Sequence, residues 1–266
     1  MKLILASDII SDDFIFNNAY VYAFWGLAAA CIVLPLFYGL YYGFKRNIDW
    51  VALVIGVIAG LITDVNPNTT TNLYVTSLWV TVEECAVMYI ILRIVSNFKK
   101  GSRVPVGLAL GWLIIPVTIL QGLAAIGMIS SMQQVNSDGL AAVIAGIAEH
   151  DREPFREALT LIASEPPGTY FLLAATCVAR FILTVGVCRL LWYSLYGERK
   201  NPHPLFILAA FGMRFIAELF YQTRPAITSM IMFYIVSAMI LVGSLIAAKY
   251  WDNPVVYEDR LSNKKL

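Results

Sequence analysis

Seven long apolar runs, separated by short polar breaks, constrain this chain more than any other feature of its sequence. A helix needs about 20 apolar residues to cross the roughly 30 Å hydrocarbon core of a bilayer. Runs near that length occupy residues 20–43, 50–64, 76–97, 104–131, 168–196, 204–222 and 226–249. They predict an all-α polytopic integral membrane protein, a bundle of about seven transmembrane helices.

The composition supports the same class. Of the 266 residues, 59% are hydrophobic and 14% are charged, whereas an average soluble domain has about 45–50% apolar and about 25% charged residues. The net charge of +1 provides no basic field that would hold a polyanion. We therefore exclude a soluble enzyme and a nucleic-acid binder, and we expect no nucleic acid among the partners.

The positions of Lys and Arg predict the orientation, because cytoplasmic loops carry an excess of basic residues. With the N-terminus outside, about thirteen basic residues face the cytoplasm and about four face outward. We therefore predict an outside N-terminus and a cytoplasmic C-terminus. The expected segments are an N-terminal surface segment (1–19), transmembrane helices one to four (20–132), an outer loop with two short amphipathic helices (133–167), transmembrane helices five to seven (168–249) and a cytoplasmic tail (250–266).

The outer loop is the one connection long enough to have structure of its own. Ser137 and Asp138 are predicted to cap a helix over 139–148, and Pro154 suits the first turn of a second helix. The apolar stripe of that second helix consists of Phe155, Leu159 and Ile162. The pair of helices either lies on the outer membrane surface or forms a lid or an outer docking segment.

Charged residues inside the spans are the candidate site. A charge at mid-bilayer costs at least about 2.5–3.5 kcal/mol, so it is normally paired or faces water or protein. Five such residues come from the third, fifth and sixth spans. At a rise of 1.5 Å per residue, all five are expected within about 8 Å of the bilayer centre. This intramembrane charge cluster consists of Glu83, Glu84, Arg180, Arg214 and Glu218.

The spacing of these residues suggests a pairing. Arg214 and Glu218 are four residues apart and are expected to pair within one helix, which leaves Arg180 to meet Glu83 or Glu84. Three carboxylates face two guanidiniums, and Arg stays charged. The surplus carboxylate, Glu83 or Glu84, is therefore a candidate proton carrier. The alternative is that the cluster only fixes helix order.

Other motifs are interpreted structurally. Cys31, Cys85, Cys177 and Cys188 lie in apolar runs without CxxC or HExxH spacing, so we expect small buried hydrophobes, no metal site and no cofactor. The GxxxG pairs of the second and fourth runs predict close helix contacts, and prolines interrupt the first and fourth runs. These residues are Gly56, Gly60, Gly107, Gly111, Pro35 and Pro116.

One sequence resemblance suggests an enzymatic function as an alternative. Glu83 and Glu84 within VEECAVMYIILR are similar to the paired-glutamate helix of the intramembrane CAAX-type and PrsW-like proteases, where the pair is implied to activate water. The resemblance covers about a dozen residues, and the basic residue expected soon after the pair is absent, since Arg93 lies further on.

Two non-enzymatic functions are the main hypotheses. In the first, the chain is a transport or channel-type protein in which Glu83 or Glu84 handles a proton or a cation. In the second, it is a structural subunit of a membrane protein complex. A glutamate-based intramembrane protease is the alternative. The expected location is the plasma membrane or the bacterial inner membrane, and the candidate partners are the lipid bilayer, other membrane proteins and a second copy of the chain.

Overall fold

The computed structural model describes residues 14–46, 49–63, 72–98, 103–195, 204–223 and 227–251. Most of the surface segment 1–19 and nearly all of the tail 250–266 lie outside these residues. The described part is helical and contains no strand. Its helices are α1 (Asn18–Ala28), α2 (Leu34–Arg46), α3 (Trp50–Thr63), α4 (Leu73–Ser96), α5 (Val104–Leu113), α6 (Gly122–Asp138), α7 (Leu140–Ala145), α8 (Glu149–Ser164), α9 (Pro167–Leu195), α10 (Pro204–Gln222) and α11 (Ile227–Trp251), with π-helical segments at Ala29–Val33 and Ile114–Gln121.

Five helical stretches among the described residues are long and apolar enough to cross a membrane: Asn18–Gly39, Val104–Asp138, Pro167–Leu195, Pro204–Gln222 and Ile227–Ala247. The two other expected spans are also helical. Of these, α3 has 14 residues, about 21 Å at 1.5 Å per residue, and α4 has 24 residues and carries Glu83 and Glu84. An all-helical protein with five helices that are long and apolar enough to span a membrane is therefore confirmed for the described residues, whereas the count of seven and the orientation stay predictions.

The π-helical segments accompany two prolines. Pro35 lies two residues after the end of the segment Ala29–Val33, and Pro116 lies within Ile114–Gln121. Proline has no N–H donor and its ring clashes with the carbonyl four residues earlier, so the regular hydrogen-bond ladder cannot continue. Wider π-type turns are one of the ways in which helices absorb such a break.

Contacts divide the described chain into two units, the first formed by 14–33 and 118–177. In this unit the segment before α1 is fixed to α6 by one side-chain amide. The Phe16 backbone N–H donates to Asn136 Oδ1 over 2.7 Å, and Asn136 Nδ2 donates to the Phe16 carbonyl over 2.9 Å. The Phe16 ring also packs edge-on against Tyr20, whose hydroxyl donates to the Glu165 carbonyl over 2.9 Å.

The prediction that Ser137 and Asp138 cap a helix is wrong. The helix that begins at Gly122 continues to Asp138, and the Ser137 hydroxyl donates back to the Gln134 carbonyl. The chain reverses instead at Gly139, whose φ of 84° is available to glycine without steric cost. The following helix, α7, is six residues long. The next, α8, begins at Glu149, so Pro154 lies inside it rather than in its first turn.

The second unit contains 34–117 and 178–251 of the described chain. Within it α3 and α5 pack backbone against backbone. A Cβ added at Gly56 would meet the Leu108 carbonyl oxygen, and one added at Gly111 would meet the Leu53 carbonyl oxygen. Both GxxxG pairs therefore serve the close helix contact that small residues permit.

Candidate functional site

Three charged residues of the second unit lie near the midpoints of their helices. Glu84 is the twelfth residue of the 24-residue α4, and Arg214 is the eleventh of the 19-residue α10. Arg180 is the fourteenth of the 29-residue α9. Each of these residues therefore lies within one residue of the midpoint of its helix, far from both helix ends and from the water expected there.

Arg214 is the centre of the cluster. Its Nε and Nη2 donate to Glu84 Oε2 over 3.0 and 2.8 Å, and its Nη1 donates to Glu218 Oε2 over 2.6 Å. The side chains are 7%, 14% and 5% exposed for Arg214, Glu84 and Glu218. One guanidinium thus joins α4 to α10 and also closes the expected pair within α10. We call these three residues the Arg214 clamp.

Gln222 completes the clamp and was missed by the sequence analysis. Its Nε2 donates to Glu218 Oε1 over 2.7 Å, so both oxygens of this buried carboxylate accept a hydrogen bond. Gln222 lies four residues after Glu218, on the same helix face. The four-residue spacing that predicted the Arg214–Glu218 pair also predicts the contact between Glu218 and Gln222.

Arg180 does not form the expected ion pair with Glu83 or Glu84 in the described part of the chain. Its guanidinium carbon lies 5.8 Å from the ring centroid of Tyr221, within the range of a cation–π contact. It remains close enough to interact electrostatically with Glu84 and Glu218. Two cations, Arg180 and Arg214, therefore balance two carboxylates, Glu84 and Glu218.

Glu83 is separate from this balanced group. The buried face of α4 is formed by Ser77, Thr81, Cys85, Met88, Leu92 and Val95. At 100° per residue, Glu83 lies about 160° from Cys85. It shares the opposite side with Trp79 and Ile90, which are 62% and 56% exposed. Glu83 is half-buried, and among the described residues it has no hydrogen-bond or ion-pair partner.

The apolar stripe predicted within residues 133–167 is partly covered by other residues of the chain. Leu159 and Ile162 are buried. Phe155 is half-buried and lines a cleft of about 450 Å³ between α6, α7 and α8. Arg152 ties α8 to the end of α7, because its Nε and Nη2 donate to the Ile147 and Ala145 carbonyls. A lid or docking role for this segment stays a prediction.

Sulfur atoms form two contacts. Cys31 Sγ lies 3.3 Å from Cys177 Sγ in the first unit. In the second unit Cys188 Sγ lies 3.6 Å from Met88 Sδ. All four cysteines are buried thiols that are not in disulfide bonds. In the described part of the chain, no group of three or more His, Cys, Asp or Glu residues lies together as a metal site would require.

Comparisons with known proteins add no family to this picture. No family model, no curated protein and no solved structure matches the chain. Its function is therefore argued from the geometry of its own residues.

Proposed function

We propose that this chain is an integral membrane protein with about seven transmembrane helices, an outside N-terminus and a cytoplasmic C-terminus, in a plasma or bacterial inner membrane. Support comes from the helical state of all seven apolar runs and from the distribution of Lys and Arg along the sequence. Within that membrane it acts as a non-enzymatic subunit that assembles with another membrane protein.

The observation that carries this function is the position of Glu83. It is the eleventh residue of α4, about 15 Å from the first residue at 1.5 Å per residue. An ionised group at that depth costs at least about 2.5–3.5 kcal/mol unless it is paired or hydrated. The clamp and Arg180 already balance each other, so no guanidinium of this group is left for Glu83.

The surroundings of Glu83 favour a protein partner over a proton path. The four residues one turn away along α4 are Trp79, Val80, Ala86 and Val87. None of these side chains can pass a proton to or from the carboxylate. A single carboxylate on an apolar helix face instead suits a helix of complementary charge, whose apolar side chains cover Trp79 and its neighbours.

The partner we infer is a transmembrane helix of another protein with Arg or Lys at the depth of Glu83. A second copy of this chain fits less well, because the mid-helix cations of the described part, Arg180 and Arg214, face Tyr221 and the two clamp carboxylates. The partner therefore supplies the missing cation, and the pair forms only in the assembly.

A photo-crosslinking group at Trp79 tests this function in native membranes. We expect one crosslinked partner, lost in Glu83→Arg and regained when the partner's basic residue is changed to Glu. Glu157→Arg, at an exposed position of α8, is the matched control and should leave crosslinking unchanged. If wild-type protein stays uncrosslinked and infrared spectra show a protonated carboxyl that disappears in Glu83→Gln, then Glu83 handles protons and the subunit function is refuted.

A glutamate-based intramembrane protease is the second candidate, favoured by one observation. Glu84 and Glu218, from different helices, accept hydrogen bonds from the same guanidinium. A carboxylate that is held in place in this way can act as a general base for water. A library of single-span peptides in lipid discs tests this: Glu84→Gln abolishes cleavage and Glu83→Gln does not. No cleavage by wild-type protein refutes the candidate.

A further inference from the structure

Two cysteines that are far apart in sequence touch in the first unit. Cys31 lies in the π-helical segment Ala29–Val33, and Cys177 lies in α9. The Cys31 thiol donates to Cys177 Sγ over 3.3 Å, and the Cys177 thiol donates to Gln121 Oε1 over 3.3 Å. This chain of two hydrogen bonds holds the sulfurs side by side and leaves the Cys177 sulfur with its lone pairs toward Cys31.

We propose that Cys31 and Cys177 are a redox-active thiol pair, which a lipid-soluble quinone oxidises to a disulfide. In this reaction two S–H bonds break and one S–S bond forms. The two electrons and two protons pass to the quinone, which becomes a quinol. Gln121 is a positioning residue, because its amide oxygen orients the Cys177 thiol and takes no part in the electron transfer.

The geometry requires only a small movement. A disulfide has an S–S length of about 2.0 Å, so the sulfurs must approach by about 1.3 Å from their separation of 3.3 Å. Cys31 lies in a π-helical turn four residues before Pro35, where the regular ladder of backbone hydrogen bonds is already interrupted. The backbone there can therefore shift with the loss of fewer hydrogen bonds than in an uninterrupted helix.

Burial determines the class of oxidant. Cys31 is 0% exposed and Cys177 is 4% exposed, and both lie in helices that are long and apolar enough to span the membrane. A charged, water-soluble oxidant cannot enter such a surrounding cheaply. A quinone dissolves in the hydrocarbon and accepts two electrons with two protons, as the thiol pair supplies them.

The other two cysteines provide an internal control. Cys188 Sγ contacts the Met88 thioether at 3.6 Å, and a thioether cannot form a disulfide. Cys85 and Cys188 are both completely buried, so they share the apolar surrounding of the first pair. A reaction that depends only on burial or on quinone access would modify them as well.

The test uses the full chain in lipid discs, with decylubiquinone as the lipid-soluble oxidant and ferricyanide as the water-soluble one. With decylubiquinone we expect the number of thiols that can be alkylated after denaturation to fall from four to two. One quinol should form per protein, and peptide mapping should assign the disulfide to Cys31 and Cys177. Ferricyanide should leave all four thiols free.

Variants separate the thiol pair from general oxidation. Cys177→Ser should abolish quinol formation, whereas Cys188→Ser should leave it unchanged. Gln121→Leu should slow the oxidation at least severalfold without changing the disulfide that is mapped. Four free thiols in wild-type protein after quinone treatment would overturn the proposal, and so would a disulfide that maps to Cys85 or Cys188. Mapping on wild-type protein decides the question even if a variant fails to fold.

Discussion

Arg214→Leu is the substitution from which we expect the largest loss of stability. The wild-type guanidinium gives three hydrogen bonds to two carboxylates, the buried Glu218 and the largely covered Glu84. Leucine fills part of the volume but donates nothing. Among the described residues, Glu84 then loses both of its hydrogen-bond donors, and Glu218 keeps the hydrogen bond from Gln222.

The expected loss of stability follows from the two carboxylates that remain without their guanidinium partner. Removing one partner of a buried ion pair costs about 3–5 kcal/mol, because the other charge remains uncompensated. Arg214 leaves two carboxylates at once, so we expect a loss near 5 kcal/mol in the free energy of unfolding. Lost hydrogen bonds alone would explain much less, since those between membrane helices average about 0.6 kcal/mol and reach about 1.7 kcal/mol.

Reversible unfolding in mixed micelles, titrated with a denaturing detergent, measures the change. Arg93→Leu is the matched control: Arg93 is an exposed guanidinium in the last turn of α4 and contacts the Tyr89 hydroxyl at 3.4 Å. We expect its removal to cost less than about 1 kcal/mol.

A neutral residue at one carboxyl position completes the test. In an Arg214→Leu background, Glu84→Gln should recover most of the lost stability, because one guanidinium, Arg180, then balances one carboxylate, Glu218, which keeps its hydrogen bond from Gln222. The reasoning is refuted if Arg214→Leu lies within about 1 kcal/mol of the Arg93 control. It is also refuted if Glu84→Gln recovers nothing in the Arg214→Leu background.

Two further predictions concern packing and the N-terminal segment. Gly111→Ala should destabilise by about 1–3 kcal/mol or more, because the new Cβ meets the backbone of α3, whereas Gly127→Ala, with open space around its Cβ, should not; thermal unfolding in detergent compares the two. Asn136→Ala removes two hydrogen bonds to the Phe16 backbone, each worth about 0.5–1.5 kcal/mol, so hydrogen exchange at residues 14–20 should become faster; unchanged exchange would refute this role of Asn136.

The sequence encodes the position of each charge along its helix better than its direction around the helix. Counting residues along each apolar run predicts charges near mid-membrane, and Glu84, Arg180 and Arg214 lie near the midpoints of their helices. The spacing of four predicted the Arg214–Glu218 pair, which forms. The partner of Glu84 could not be derived in this way. Whether it is Arg180 or Arg214 depends on how α4, α9 and α10 are rotated about their axes, and that rotation is set by packing of the whole unit.

Predictions from local capping residues were wrong where a longer helix continues through those residues. Ser137 and Asp138 are good capping residues, yet the helix before them continues through both positions. The stop is instead provided by Gly139, the one described glycine with positive φ. By contrast, the prolines gave the right positions for interrupted helices, because the lack of an N–H donor does not depend on tertiary context.

The rotation of α4 also determines which carboxylate is the surplus one. Counting charges shows that three carboxylates face two guanidiniums but cannot say which is left over. Glu84 lies beside the buried stripe of α4 and is neutralised by Arg214, whereas Glu83, one residue earlier, lies on the opposite side. The two adjacent glutamates therefore differ: Glu84 pairs with Arg214, whereas Glu83 is the carboxylate for which we propose a cation on a partner protein.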